Sequence, residues 1–388
     1  MMTERIQVRN VGPIKDTGVI DIGDLTVLIG DSASGKSTLM KVLCLMRYVF
    51  KRLTIRSYIR NANVNDKVFY IRFNDLLRDD ISKTVTKDSY INYCVSINDN
   101  IYSIVYSDGK LQTPDNIQNE DLRYTKEVWV SEMRSAIAPL SAKGSLAKNA
   151  SLGFYFDETF DEFDEATDNV KHFDLSYVGL KMDVTKGGNN QKKFELSPLD
   201  GSYEKFELRH ASSGIQTTAP LLAMIQYYAT EFSFKQAQKR NIIDLLFEKD
   251  LTTQYRPEIE LADVPNVVHF HIEEPELSLD PSSQLRLFNE IIRRSFCSLN
   301  EKRTIGLVLA THSPYIVNDL NLLIKAHDCN TEVDGAYVDY DKTSVYLMNG
   351  GNCESLKMKN IRFINTDRLS NDINAIYDRY DQIKGNSK

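Results

Sequence analysis

The chain has 388 residues, of which 42% are hydrophobic and 26% are charged, and its formal net charge is -7. Such a composition belongs to a folded protein of one large domain or two medium ones, and it excludes disordered and fibrous classes. The acidic balance excludes a surface that is basic throughout, so contact with nucleic acid would need a local patch. Five cysteines without a Cys-x-x-Cys pair, and the lack of a long apolar run, predict a cytoplasmic protein without disulfides or membrane spans.

The first 112 residues predict strands, a long helix and further strands. "RIQVRNVGPI" alternates apolar and polar residues, and the apolar "LTVLI" predicts a buried strand that ends at Gly30. Apolar residues at three- and four-residue spacing then predict a helix from 36 to about 60. Segments rich in Tyr, Ile and Val predict short strands between about 66 and 112, with a hairpin turn at 98–100.

Beyond residue 211 the pattern alternates between helix and strand, which is typical of an α/β fold. The predicted elements are helices at 211–232 and 281–296, a helical stretch to about 250, strands at 267–272 and 304–310, another helix and a strand pair within 335–348. We interpret 1–60 and 205–350 as two halves of one core, 61–204 as an inserted β-rich lobe with an acidic helix, and 351–388 as a C-terminal helical tail packed on the core.

A phosphate-binding loop is predicted where the apolar strand meets the long helix. "GDSASGKS" fits G-x-x-x-x-G-K-[ST], in which glycines let main-chain N–H groups face phosphate oxygens. Lys36 would supply a cation to the β- and γ-phosphates and Ser37 a hydroxyl to Mg²⁺, so ATP and Mg²⁺ are the predicted cofactors. The alternative is a glycine turn that binds nothing. The predicted nucleotide-binding residues are Gly30, Asp31, Ser32, Ala33, Ser34, Gly35, Lys36, Ser37 and Thr38.

Two adjacent carboxylates follow the predicted strand "VVHFHI". This strand carries Glu273 and Glu274 to its carboxyl end, where ligands bind in open α/β sheets. Neighbouring carboxylates repel each other unless a cation lies between them. A nucleoside triphosphatase needs one acidic group beside its metal and one base for the attacking water. The pair therefore predicts the second half of an ATPase site, with a solvated acidic turn as the alternative.

These motifs together resemble the ABC-type ATPases, and among them the branch of RecF, Rad50 and overcoming-lysogenization-defect (OLD) proteins. The resemblance implies a P-loop NTPase of ABC type, with a mixed-sheet core, an antiparallel β-lobe and an inserted α/β lobe. "IEEPELSLDP" resembles the Walker B motif and D-loop of this branch. By that resemblance Glu273 binds the metal together with Ser37, Glu274 is the catalytic base, and Asp280 is the D-loop aspartate. Glu273 departs from the commoner Asp.

Two further motifs resemble parts of the same family. "VLATHSPYIVNDL" is similar to the switch-histidine motif, which implies that His312 acts near the γ-phosphate beside Glu274 and Lys36. "RHASSGIQTTAPLL" is similar to a degenerate signature motif, and Pro220 within it predicts a kinked helix or one that starts later. In ABC proteins the signature contacts the nucleotide of the opposite subunit, so a homodimer with two composite sites is implied. The signature residues are Ser212, Ser213, Gly214 and Gln216.

The resemblance implies an ATP-driven switch whose destructive activity lies elsewhere. Too few residues follow His312 for the Toprim nuclease domain of OLD proteins, so no nuclease is predicted here. Relatives of this size serve bacterial anti-phage systems with a separate nuclease or toxin effector, which is the predicted setting. A DNA repair or recombination ATPase of the RecF or SMC kind is the alternative, and the cytosolic subunit of an ABC transporter is less favoured.

Three other segments leave their interpretation open. "VWVSEMRSAIAPL" resembles a segment of OLD-type ATPases and singles out Arg134, whereas the glutamine of the Q-loop is not placed. The acidic segment 154–168 is either a docking helix for a basic partner or a surface helix over the lobe. A basic stripe on the first helix would contact a phosphate backbone, or would form a solvated face paired with acids. Its residues are Arg52, Arg56 and Arg60, joined by Arg47 and Lys51.

Overall fold

The structure is a computed structural model. It describes residues 2–64, 71–79, 81–141, 152–187, 191–248, 254–297 and 303–385. The predicted α/β class with a mixed sheet is confirmed, since helices surround one large sheet of parallel and antiparallel strands and a second, smaller sheet. Among the described helices, none combines the length and the apolar character that a membrane span requires.

The strands are numbered in chain order. They are β1 (Met2–Val11), β2 (Ile14–Asp16), β3 (Ile20–Ile22), β4 (Leu25–Gly30), β5 (Tyr90–Ile97), β6 (Asn100–Ser107), β7 (Lys110–Gln112), β8 (Tyr124–Val130), β9 (His172–Leu175), β10 (Leu180–Lys186), β11 (Lys192–Pro198), β12 (Phe206–Glu207), β13 (Asn266–Glu273), β14 (Thr304–Thr311), β15 (Thr343–Asn349) and β16 (Asn352–Ser355).

The helices follow the same numbering. They are α1 (Lys36–Asn61), α2 (Ile81–Thr84), α3 (Ile137–Ser141), α4 (Phe154–Asn169), α5 (Ser213–Gln226), α6 (Phe234–Lys239), α7 (Leu245–Glu248), α8 (Pro281–Ile292), α9 (Pro314–Asp328) and α10 (Asn371–Gly385). A π-helical segment continues α5 and another continues α8, at Tyr227–Glu231 and Arg293–Cys297. Helix α5 begins at Ser213 and runs through Pro220, so the expected later start is wrong.

The large sheet has the order β7-β6-β5-β1-β2-β16-β15-β4-β14-β13-β8, and β3 also pairs with β1. Strands β15, β4, β14, β13 and β8 run parallel to their neighbours in this series. The strands from β7 to β2 pair antiparallel. The second sheet has the order β12-β11-β10-β9. The parallel strands β13 and β14 are buried along almost their whole length, as their mostly apolar residues predict, and β13 also buries His269 and His271.

The segment 61–204, interpreted above as an inserted lobe, contributes strands to both sheets. Strands β5, β6 and β7 extend the large sheet from β1, with the predicted hairpin turn between β5 and β6. Strand β8 comes from the same segment and forms the opposite edge of the same sheet, next to β13. The predicted turn "KGGNNQKK" joins β10 to β11, and its residues 188–190 lie outside the described part. The segment is thus continuous with the core through the large sheet.

The acidic segment forms helix α4, which packs on β8 and α5. Its Phe156 and Phe163 are buried, while Glu162 accepts a hydrogen bond from Lys126 at 2.6 Å. These contacts support the interpretation as a helix that covers the sheet. The C-terminal tail forms α10, whose residues 375–383 are exposed, and its predicted packing on the core stays a prediction. Ile364 is the last fully buried side chain among those described in the tail, and the partly buried Leu369 also packs against the core.

Candidate active site

The predicted functional residues gather at one edge of the large sheet. The phosphate loop follows β4, the switch histidine follows β14, Glu273 ends β13, and the turn that contains Arg134 follows β8. These four strands are neighbours and run parallel, so their carboxyl ends meet at the same edge. The pairing register aligns those ends, with Thr311 beside Ile29 and Glu273 beside Ala310. Four distant segments of the chain thereby form one site.

The phosphate loop has the backbone conformation that its glycines allow. Gly30 and Gly35 have φ values of 152° and 104°, and helix α1 begins directly afterwards at Lys36. A Cβ atom on Gly30 would lie 2.2 Å from the carbonyl oxygen of Met348 in β15, so only glycine fits there. Along the loop, Asp31, Ser32 and Ala33 are exposed, Ser34, Gly35 and Lys36 are buried, and Ser37 and Thr38 are half-buried.

The Lys36 ammonium lies inside the curve of the loop. Its Nζ donates hydrogen bonds to the carbonyl oxygens of Gly30 and Asp31, both at 2.8 Å. Burial lowers the pKa of Lys36, and the negative charges of Glu274, Asp31 and Glu276 oppose that shift. Within the described residues, the Ser34 hydroxyl oxygen is buried and has no hydrogen-bond partner. The loop thus contains one cation and one unsatisfied hydroxyl beside the carboxylates.

The carboxyl group of Glu273 is buried beside Ser37. Burial raises the pKa of Glu273 to about 8, and a hydrogen bond with Glu132 adds to that rise, whereas a hydrogen bond from the Ser37 hydroxyl lowers it. The pKa of Glu132 is lowered despite burial, because it accepts hydrogen bonds from Glu273 and Ser131. One proton is therefore shared by the two carboxyl groups and resides on Glu273. The predicted metal pair, Ser37 and Glu273, is brought together.

Glu132 is a site residue that sequence reasoning missed. It follows β8 directly, and β8 is parallel to β13, so both strands deliver a carboxylate to the same edge. The signal available in the sequence was the apolar "VWV" immediately before "SE". Without the pairing of β8 with β13, that short run does not show which sheet edge the glutamate reaches.

Glu274 and His312 also meet at this edge. The His312 Nε2 atom lies 3.6 Å from Oε1 of Glu274. The main-chain N–H of His312 donates to Oε1 of Glu276 at 2.7 Å, and the other oxygen of Glu276 is buried without a partner among the described residues. Glu276 is a second acid that the sequence reasoning did not single out. The predicted catalytic set of Lys36, Glu274 and His312 is thus assembled, with Glu276 added to it.

The signature segment lies against the D-loop. Helix α5 starts at Ser213, which is exposed like Ser212 before it. Gly214 is tightly enclosed, since a Cβ atom there would lie 2.9 Å from Cδ2 of Leu279 and 3.1 Å from the carbonyl oxygen of Ser278. This close approach explains why glycine stands at that position.

The remaining residues of these two motifs stabilise helix starts. The Gln216 amide donates to the carbonyl oxygens of Arg209 and Ala211, which holds the segment before α5. Asp280 caps α8 by accepting from the main-chain N–H groups of Ser282 and Ser283 at 3.0 and 3.2 Å. In the described part of this single chain, no hydrogen bond joins the signature residues to the phosphate loop.

The basic stripe on α1 mostly binds within the molecule. Arg47 is buried, and Arg56 and Arg60 donate to the main-chain carbonyl oxygens at 114–115, at distances of 2.8 to 3.1 Å. Arg52 is exposed. Two of the three arginines of the stripe, for which a phosphate contact and a solvated face were the alternatives, thus hold a neighbouring loop.

The comparisons with known proteins do not identify a function for this chain, so any functional assignment depends on the geometry of the site. No family model and no curated protein sequence matches the chain. Among solved structures, it is similar to the SMC head domain from Thermotoga maritima, with 9% identity, a TM-score of 0.38, and coverage of 92% of this chain and 100% of that one. It is also similar to the recombination mediator protein RecF of the RecFOR pathway, with 13% identity, a TM-score of 0.38, and coverage of 92% and 98%. Similarity at this level supports no statement about function.

Proposed function

We propose that this protein binds and hydrolyses Mg-ATP as a switch ATPase of ABC type. The observation that carries the proposal is the meeting of four segments at one sheet edge. There the Lys36 ammonium lies inside the glycine loop, the Glu274 carboxylate lies 3.6 Å from His312, and the buried Glu273 lies beside Ser37. A cation in a glycine loop, a metal-side acid with a hydroxyl, and a base are the groups that phosphoryl transfer to water requires.

The residues present fit Mg-ATP. The raised pKa of Glu273 marks a buried carboxyl group with too little positive charge around it, which a divalent cation would supply. The partnerless hydroxyl of Ser34 lies in the loop that would surround the phosphates. Ser37 and Glu273 would hold the metal and its water shell, and Glu132 would accept a hydrogen bond from that shell. When bound, Mg²⁺ supplies positive charge to the β- and γ-phosphate oxygens.

The side chains have separate tasks in the reaction. Lys36 stabilises the negative charge that spreads over the γ-phosphoryl oxygens in the transition state. Glu274 accepts the proton of the attacking water, and its place beside His312 at the end of β13 supports that role. His312 lies beside Glu274 and donates a hydrogen bond to the transferred phosphoryl group. Glu276 holds the main chain of His312 in place through the 2.7 Å hydrogen bond.

The switch that we propose is a homodimer with two composite sites. The exposed start of α5, with Ser212 and Ser213, is available to the nucleotide of a second chain. ATP binding would close the dimer and hydrolysis would open it. Ser213→Arg should therefore block hydrolysis while nucleotide binding is retained. Full turnover in that variant would show that each chain works alone.

The biological setting is proposed from the resemblance in the sequence motifs. We propose a sensor or scaffold role in a bacterial anti-phage system that controls a separate nuclease or toxin effector. A RecF- or SMC-like clamp on DNA is the second candidate, and exposed Arg52 is the stripe residue still available to phosphate. ATP-dependent duplex binding that weakens with salt would favour the clamp, and co-purification of an effector would favour the defence role.

Glu274→Gln tests the chemistry directly. The variant should keep Mg-ATP binding and lose at least about 100-fold in kcat, because the amide cannot accept the proton of the attacking water. Binding is measured by calorimetry and turnover by phosphate release. The matched control is Glu258→Gln, an exposed residue away from the sheet edge whose replacement should leave both quantities unchanged. Undiminished turnover in Glu274→Gln would falsify the assignment of the base.

A further inference from the structure

Arg134 is completely buried in the turn that follows β8. A buried guanidinium is costly unless its N–H groups are satisfied, and here they are satisfied in an unusual way. Its hydrogen bonds in the described structure end on main-chain carbonyl oxygens instead of on carboxylates. The acceptors are Thr217 and Ser131, each at 3.1 Å, Glu273 at 2.7 Å and Glu274 at 2.6 Å.

The four acceptors belong to three separate segments. Ser131 follows β8, Glu273 and Glu274 end β13, and Thr217 lies in α5, one turn beyond Gly214. Because the acceptors are peptide oxygens, Arg134 holds the course of the main chain and leaves the carboxylates of the site free to act. The Arg134 fork thus joins the signature helix to the catalytic edge of the sheet.

The Thr217 hydroxyl makes a second connection between the same segments. Its single O–H is shared between the carbonyl oxygens of Gly214, at 2.8 Å, and Leu277, at 3.1 Å. Leu277 belongs to the loop between Glu274 and Asp280. Helix α5 and the Glu274 loop are therefore tied together at two points, and movement of one requires movement of the other or loss of these bonds.

Glu274 has a main-chain conformation that needs support. Its φ is +42°, in the left-handed region, where a residue with a Cβ atom is disfavoured. The N–H of Glu274 donates to the carbonyl oxygen of Ala310 at 2.8 Å, and its own carbonyl oxygen accepts from Arg134. With both main-chain groups held, the carboxylate comes to lie 3.6 Å from His312.

We propose that Arg134 is a positioning residue that holds Glu274 in its left-handed conformation and transmits movement of the signature helix α5 to it. This inference rests on the proposed ATPase function. A change at the exposed start of α5, as on contact with a second chain, would shift Thr217 and through Arg134 the main chain of Glu274. Hydrolysis is then coupled to the position of α5, and the ammonium of a lysine in place of Arg134 could not reach all four oxygens.

Arg134→Lys tests this inference in the full-length protein. We expect kcat for Mg-ATP to fall by about 100-fold, since a displacement of about 1 Å at a catalytic group costs that much, while KM changes by less than about threefold. In a Glu274→Gln background the same substitution should lower the residual rate by less than about twofold, because Arg134 acts through Glu274. A further loss of about 100-fold in kcat in that background would overturn the proposal.

Arg47→Lys is the matched control, because Arg47 is also among the largest fully buried side chains but bonds to Glu4 away from the sheet edge. Both variants should lose stability, and only Arg134→Lys should lose kcat. Equal kcat values in the two folded variants would reduce Arg134 to a structural role. If wild-type protein does not hydrolyse Mg-ATP, the proposed function fails and this inference fails with it. Turnover in the wild type that Arg134→Lys retains contradicts this inference alone.

If Arg134→Lys does not fold, Thr217→Val tests the second connection. Valine has nearly the shape of threonine but removes both bonds of the hydroxyl. We expect about a tenfold loss of kcat with unchanged binding of Mg-ATP, and an unchanged kcat would contradict the coupling between α5 and Glu274.

Discussion

Strands β8 and β13 each carry a glutamate in buried surroundings, and the pKa of one carboxyl group is lowered while that of the other is raised. Glu127 of β8 accepts hydrogen bonds at 2.9 Å from both His269 and His271 of β13. Burial alone would raise the pKa of Glu127, but these two histidines outweigh it and the pKa lies well below its ordinary value. Glu273 lies on the same strand as the histidines, and burial and Glu132 raise its pKa to about 8. One carboxylate is compensated by the chain and the other is not.

The difference separates a structural acid, Glu127, from Glu273, the acid that we propose as a metal ligand. His269, His271 and Glu273 alternate along β13 and so share one face of the sheet. At the inner end of this row, Trp129 stacks on His271, and the negative charge is satisfied by neighbouring side chains. At the carboxyl end of β13 the last residue of this row is Glu273, whose raised pKa keeps its carboxyl group protonated. A buried acid that the fold does not neutralise is typical of a functional site, because an external cation completes it.

Glu127→Gln should produce the largest change in stability. The substitution removes the charge that both histidines face and leaves at least one buried ring nitrogen without an acceptor, so the free energy of unfolding should fall by about 3 kcal/mol. Urea unfolding at neutral pH measures the change. Glu258→Gln, on an exposed carboxylate, should change it by less than about 0.5 kcal/mol. Equal stability of the two variants would contradict the structural role of Glu127.

Glu273→Gln should change stability in the opposite direction. The pKa of Glu273 in the folded protein, about 8, lies above its value in the unfolded chain. The free energy of unfolding therefore falls as pH rises from about 4.5 through 8, because the unfolded chain releases this proton first. At pH 8 and without nucleotide, the variant should be more stable than the wild type by about 2 kcal/mol. Thermal unfolding checks this, and added Mg-ATP should stabilise the variant less than the wild type. Destabilisation like that of Glu127→Gln would break the contrast.

The smallest predicted effect is the acid sensitivity of the histidine end. Burial lowers the pKa of His271 to about 4, so the unfolded chain takes up the proton first as pH falls. Stability should decrease by about 1 kcal/mol between about pH 6.5 and 5.5 through this group, whereas Glu273 contributes a gain over the same interval. His271→Gln should remove the loss, which urea unfolding at several pH values would show. An unchanged slope in the variant would assign the acid sensitivity to other groups.

The phosphate loop and the acidic end of β13 could be read from contiguous residues. Gly30, Gly35 and Lys36 act through a local backbone conformation, and the strand-to-helix context is written on both sides of them. Likewise the apolar run before Glu273 predicts a buried strand whose end carries the acids. Such local patterns predict the folded structure correctly because they depend on residues that are close together in the sequence.

Other parts of the site were inaccessible to the same reasoning. The sequence singled out Arg134 but missed Glu132, and the role of both depends on β8 lying beside β13, a pairing between distant parts of the chain. In the sequence the arginine stripe has the spacing of a contact surface, but in the structure Arg56 and Arg60 hold the loop at 114–115. Helix periodicity shows which side chains share a face and does not show what covers that face.

The amino-acid sequence by itself determined the α/β class and predicted the phosphate loop and the Glu273–Glu274 pair from local patterns, and it predicted His312 from the resemblance of its motif. Only the tertiary structure decided which charges are compensated. It placed Glu127 between two histidines, gave Glu273 a second carboxyl group, and put Arg134 on the carbonyl oxygens behind Glu274. The reason is that burial and charge compensation depend on through-space neighbours, and strand pairing brings those together from distant parts of the chain.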